Sequence, residues 1–256
     1  ELEFYSKIPV PQNTSTPILG PIMTETHNVN LFKSPDDNEI YEYVQFTDNG
    51  VIEFPQDTMC DILVVGGGGA GGNSMGGGGG AGGIVYTVNQ VIPKGNYSIG
   101  VGEGGIGLPL LNDGQGTVGI EQDGKDSYIQ KSDGTYLKLN MGGTLQDLVG
   151  KGGGGGAVYF NTTFINGRDG GSGGGSSDGN DHNIINTGGS SIQPNTLWNG
   201  STYLPGGSVG NTNKSENFNY QAGGGGGAGG ELYNSSFING KSGIQIDITG
   251  VNNYYS

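Results

Sequence analysis

The chain has 256 residues, 57 of them glycine, with 10 Lys and Arg against 24 Asp and Glu and a net charge of −14 at pH 7. Charged residues are only 13% of the chain and no Lys/Arg cluster occurs, which argues against nucleic acid and anionic membranes as partners. No segment approaches the ~20 consecutive apolar residues of a membrane span, and the single cysteine, Cys60, excludes an internal disulfide.

So much glycine makes disorder a serious alternative. Against it stand 13 Tyr, 8 Phe and many β-branched residues, gathered in short blocks between the glycines. Residues 1–49 hold only Gly20, so a composition boundary separates an N-terminal segment from a glycine-rich domain.

Residues 1–38 carry Pro9, Pro11, Pro17, Pro21 and Pro35. Proline removes backbone donors and favours extended conformations, so this stretch reads as an arm and not as a domain of its own. Its apolar residues, among them Phe4, Tyr5, Ile8 and Val10, need a surface to lie on, either in the same subunit or in a neighbour. These four are the candidate assembly residues. The domain proper is expected over 39–256.

Next, YEYVQF (41–46) and VIEF (51–54) flank Asp48-Asn49-Gly50, and the pattern predicts a hairpin. DILVV (61–65) is a continuous apolar run after Asp61 and predicts a buried strand. GGIVYTVNQV (82–91) and NYSIGVG (96–102) predict two more strands around Pro93-Lys94-Gly95. DSYIQ (126–130) and TYLKLNM (135–141) predict a hairpin through Lys131–Gly134. Near the end, Ile244, Ile246 and Ile248 alternate on one face. No window carries an apolar period of 3.6 over ten residues, so almost no α-helix is expected. The fold class is all-β.

Glycine runs recur between these blocks. GGGGAGG occurs at 66–72, 77–83 and 224–230, and GGGGGA precedes the pattern N-[ST]-[ST]-F-I-N-G-[RK] at both 161–168 and 234–241. Repetition inside one domain implies repeated structural roles, with Phe164/Ile165 and Phe237/Ile238 at equivalent places. Gly66, Gly68 and Gly71 match a dinucleotide fingerprint, but they lead into more glycine instead of a helix. Residues 84–92 also lack the acid that would hold a ribose, so no cofactor is expected. Flexible linkers would close many loops at an entropy cost that the small hydrophobic content could hardly offset. Extended three-fold glycine helices, packed side by side and bonded through their backbones, fit better. They have 3 residues per turn, about 3.1 Å rise and no internal hydrogen bonds. These glycines are expected to bind other glycines.

DILVVGGGGAGG, GGGGGAGGIVY, PKGNYSIGVGEGG, LVGKGGGGG and GIQIDITGVNNYY together resemble glycine-rich domains of giant DNA virus proteins, over residues 43–255. More loosely, the chain resembles the glycine-rich ectodomains of certain receptor tyrosine kinases and the polyglycine tips of phage tail adhesins. The resemblance implies a tumour-necrosis-factor-like or jelly-roll β-sandwich with bundled polyglycine II helices inserted between strands.

No catalytic constellation emerges. His27 and His182 lie in polar, loop-like surroundings, and Asp178, Asn180 and Asp181 read as a solvated acidic loop, so no metal is expected. Cys60 reads as a small buried hydrophobe. Sequons occur at Asn13, Asn96, Asn161, Asn199, Asn213 and Asn234 and permit glycosylation. The expected function is a non-enzymatic structural subunit of an extracellular or virion-surface fibre, self-assembling by adding its arm to a neighbour's sheet. The alternative is an adhesin tip recognising a host-surface glycan or protein through loops 108–125 or 172–221, with Trp198 and Tyr203 as the candidate recognition pair.

Overall fold

A computed structural model of the chain describes residues 2–6, 29–33, 40–74, 76–109, 122–141, 143–160, 163–177, 187–193, 196–198, 202–204, 222–228, 240, 243–248 and 253–255. The strands are β1 (Leu2–Ser6), β2 (Val29–Lys33), β3 (Ile40–Phe46), β4 (Gly50–Phe54), β5 (Thr58–Val65), β6 (Ile84–Ile92), β7 (Gly95–Gly100), β8 (Ser127–Lys131) and β9 (Lys138–Met141). They continue with β10 (Thr144–Asp147), β11 (Val149–Gly150), β12 (Val158–Phe160), β13 (Thr163–Ile165), β14 (Thr196–Trp198), β15 (Thr202–Leu204), β16 (Ile244–Ile246) and β17 (Asn253–Tyr255). No α-helix occurs among the described residues, and the protein is all-β.

Two antiparallel sheets form a sandwich. One has the order β2-β3-β1-β5-β6 and the other β11-β8-β7-β4. Alternation along the strands explains why they stack. Leu2, Val44, Phe46, Cys60, Ile62, Val64, Val85 and Ile92 of the first sheet share one buried core with Ile52, Phe54, Tyr97, Ile99 and Ile129 of the second. Leu137, Leu139 and Leu148 close its flank.

The apolar run ending at Val65 follows from the same geometry. Cys60, Ile62 and Val64 enter the inter-sheet core, while Leu63 and Val65 point the other way, into a second cluster with Ile84, Tyr86, Ala228, Ile246, Ile248 and Tyr255. The β16–β17 hairpin thus covers the outer face of the first sheet, and β5 is buried on both sides. The second sheet shows the opposite pattern: on β4 and β7, buried Ile52, Phe54, Tyr97 and Ile99 alternate with exposed Val51, Asn96 and Ser98, as on a half-solvated sheet.

The pairing expected across Asp48-Asn49-Gly50 does not occur. Segments 41–46 and 51–54 both form strands, but they do not pair with each other. β3 bonds to β1 and β2, whereas β4 bonds to β7 in the opposite sheet. The residues Thr47–Asn49 carry the chain across the sandwich, and the Asn49 side chain accepts from the Val101 amide at 2.8 Å. Phe46 and Ile52 then enter the same core from its two layers. The turn expected at Lys131–Gly134 does form: Gly134, at φ 80°, donates to Lys131 O, and Lys131 donates to Thr135 O. The two flanking strands do not pair as expected: past the single bridge Gln130↔Tyr136 they part, β8 bonding to β7 and β11 and β9 to β10.

Candidate functional site

The feature that sets this chain apart is what happens where the strands end. β5 and β6 are paired as far as Val65↔Ile84. The next pair is Gly66 and Gly83, where the Gly66 amide donates to Gly83 O at 3.0 Å, followed by Gly69 to Gly80 O and Gly72 to Gly77 O, both 2.8 Å. The register continues without a slip, but bonds to the same neighbour now recur every third residue. That period marks the three-fold extended conformation, in which successive amides point at different neighbours.

Three other ladders do the same. Beyond Gly100↔Tyr128, Lys125 donates to Glu103 O; beyond Gly150↔Ser127, Gly124 donates to Gly153 O; beyond Val158↔Ile165, Arg168 donates to Gly155 O. The glycine bundle is therefore built in register onto the sheets.

Segment 151–157 lies at its centre, and each of its seven amides has a partner. Gly153 and Gly156 donate to Gly67 O and Ala70 O, and Gly154 and Ala157 to Ser172 O and Gly175 O. The remaining direction meets carboxylates: Gly152 donates to Asp126 Oδ1 and Gly155 to Asp123 Oδ1, both at 2.9 Å, while Lys151, in line with Gly154 and Ala157, donates to Gln193 Oε1 at 2.8 Å. Buried backbone donors must find acceptors, and here carboxylates stand in where no carbonyl reaches. Asp126 also pairs with Lys151 Nζ at 2.7 Å, and Asp123 with Arg168 Nε at 2.7 Å.

The close approach explains the glycine. A Cβ at Gly156 would strike Gly77 O, and one at Gly69 would strike Gly154 O. On the outer surface the demand disappears: a Cβ at Gly68 would meet nothing nearer than Gly80 O at 3.9 Å.

Two polar side chains join the bundle to the sandwich. Ser127 is fully buried; its hydroxyl donates to Val65 O at 2.7 Å and accepts from the Gly102 amide at 2.9 Å, linking the ends of both sheets. Gln193 accepts from Lys151 and donates to Val149 O at 3.3 Å, acting as a substitute backbone rung. Gln122 is buried as well, and its side-chain amide has no hydrogen-bond partner among the described residues.

The candidate residues from the sequence are spread over the molecule. Phe4 and Tyr5 lie in β1, while Ile8 and Val10 fall outside the described residues. Asn96 is exposed on β7; Asn13, Asn161, Asn199, Asn213 and Asn234 fall outside, as do His27, His182, Asp178, Asn180, Asp181 and the Phe237/Ile238 pair. Trp198 and Tyr203 belong to the β14–β15 hairpin, but the register pairs Leu197 with Tyr203 and Trp198 with Thr202, so the two aromatics are not cross-strand partners. Cys60 is buried, and that burial, followed by the neighbouring charge of Asp61, pushes its thiol up to about 12. Among the described residues no group of three or more His, Cys, Asp and Glu is arranged to hold a metal ion, and no helix is long and apolar enough to cross a membrane.

Sequence reasoning misses Asp123, Asp126, Ser127 and Gln193. The one usable signal is the three-residue spacing of the two aspartates in QDGKD, which equals the glycine-helix period.

No curated protein and no solved structure matches the chain. A family model for a glycine-rich domain matches residues 47–246, which include every glycine run of the bundle, and the chain belongs to that glycine-rich domain family.

Proposed function

We propose that the chain is a non-enzymatic structural subunit of an extracellular or virion-surface fibre, self-assembling through its N-terminal segment. The observation that carries this reading is the complete internal use of the amides of 151–157, in register with the sheets. Such a network commits its donors to holding rods together, which gives stiffness and leaves the central glycines nothing to offer a ligand. Stiffness without chemistry is what a subunit under mechanical stress needs. The resemblance to giant-virus domains favours the virion surface as its place. A tip that recognises a host-surface glycan or protein is less well supported, because Trp198 and Tyr203 lie out of register.

Electron microscopy of the purified protein and of native material tests the proposal. Filaments with an axial repeat of one subunit are expected. Protein that stays monomeric at every concentration, with no filament in native material, would overturn it.

A further inference from the structure

β1 lies inside its sheet and not at an edge. It is bonded on one side to β3, from Leu2↔Phe46 to Ser6↔Glu42, and on the other to β5, from Leu2↔Val64 to Ser6↔Cys60. Strands are spaced about 4.8 Å apart, so without β1 the strands β3 and β5 would face each other across roughly 10 Å. Two rows of backbone groups would lose their partners. Leu2, fully buried beside Val44, Phe46, Ile62 and Val64, would leave a hole in the inter-sheet core. This slot is specific in length, direction and plug residue.

β1 is also far from β2 in sequence. Residues 7–28 separate it from β2, a stretch that at about 3.3 Å per residue can span roughly 70 Å. The five-stranded sheet is only about 20 Å across. β1 can therefore reach another molecule while β2 keeps its place on β3.

We propose that copies of this chain join by strand exchange, β1 of one copy filling the slot between β3 and β5 of the next, in the same antiparallel register. The inference rests on the fibre reading and deepens it by naming the partner, a second copy, and the interface. It differs from strand addition at a free edge, because among the described strands the edges of this sheet are β2 and β6. An internal slot refilled by an identical strand restores every hydrogen bond and the Leu2 plug. The balance between closed and exchanged forms then depends on concentration and on the tether, not on new contacts. One-way exchange from copy to copy is heterologous and gives an open series, whereas reciprocal exchange gives a closed pair.

The paired positions Glu3 and Gln45 supply the test. Directly opposed residues of an antiparallel pair have Cα atoms about 4.5–5.5 Å apart, within the span of a disulfide. In the double variant Glu3→Cys, Gln45→Cys, oxidation of the monomer fixes β1 in its own sheet, and reduction releases it. The reduced protein is expected to assemble like the unmodified chain, and the oxidised protein to stay monomeric. In a second arm, the single variants Glu3→Cys and Gln45→Cys are mixed under mildly destabilising conditions and then oxidised. A disulfide between the two different chains is expected, and neither variant alone should give it in like yield. Equal assembly of the oxidised and reduced double variant, or no mixed disulfide, would overturn the exchange. The two readings fail separately: filaments that form despite the staple leave the fibre and remove the exchange. A mixed disulfide found only in closed dimers leaves the exchange and removes the fibre.

Discussion

Two neighbouring glycines show how sharply the bundle distinguishes positions. Gly69 packs where a Cβ would run into the backbone of Gly154, while Gly68 faces outward. Gly69→Ala is therefore expected to destabilise the protein by about 2–3 kcal/mol, as overpacked interiors do. For a chain of this size that lowers Tm by roughly 4–12 °C. Gly68→Ala should be neutral or stabilise by up to about 1 kcal/mol, since it only restricts the unfolded chain. Thermal unfolding of the pair checks this, and equal effects would refute the packing. Cys60 makes a different kind of prediction. Its folded thiol titrates near 12 against an ordinary 9.0, so between those values the unfolded chain loses the proton first. Stability is then full below pH 9 and falls as pH rises towards 12, by about 1.4 kcal/mol per unit. Burial raises Tyr86 in the same direction. Urea midpoints measured across this range should decline, and Cys60→Ala should flatten the slope while lowering the starting value.

At the scale of one element, segment 122–126 shows why side chains enter a backbone lattice. Asp126 accepts from the Gly152 amide and holds Lys151 Nζ, so Asp126→Ala leaves a part-buried N–H and a cation without their partner. The expected cost is about 1–3 kcal/mol. Asp126→Asn keeps an acceptor for Gly152 and gives up only the partly exposed ion pair, so it should cost distinctly less. Denaturant midpoints of the two variants decide this, and equal losses would mean that the amide contact matters little. Elements of this kind mark the limit of the sequence. The run DILVV announces a strand buried on both faces, and the glycine runs, once the missing helix rules out a phosphate loop, announce rods. Both follow from local chemistry. Asp48-Asn49-Gly50 announces a turn but not its partners: turn residues fix the reversal, while the pairing of β4 with β7 is set by a core in which Ile52 and Phe54 meet Tyr97 and Ile99, distant in sequence. Gln193 is illegible for a related reason, and Asp123 and Asp126 show only their three-residue spacing. An ordinary polar residue becomes an acceptor for a buried amide only after rods distant in sequence have been brought beside it.

Across the whole molecule the decisive fact is that ladders become rod pairs without a change of register. Val65↔Ile84 passes to Gly66 and Gly83, and Gly150↔Ser127 passes to Gly153 and Gly124. Ser127 ties the two sheets together at the junction. Rods cannot separate without unpairing strand ends, and strands cannot separate without exposing rod amides, so sandwich and bundle should unfold as one unit. The heat capacity should nevertheless be unusual. An ordinary chain of this length would show a ΔCp of about 3–4 kcal/mol/K, because unfolding exposes mostly apolar surface. Here unfolding the bundle exposes peptide groups, and polar exposure lowers ΔCp. A single calorimetric transition with ΔCp clearly below that range is the expected outcome. Two separate transitions would mean that the bundle stands apart from the sheets. An ordinary ΔCp would mean that side-chain burial, and not the glycine lattice, dominates the fold.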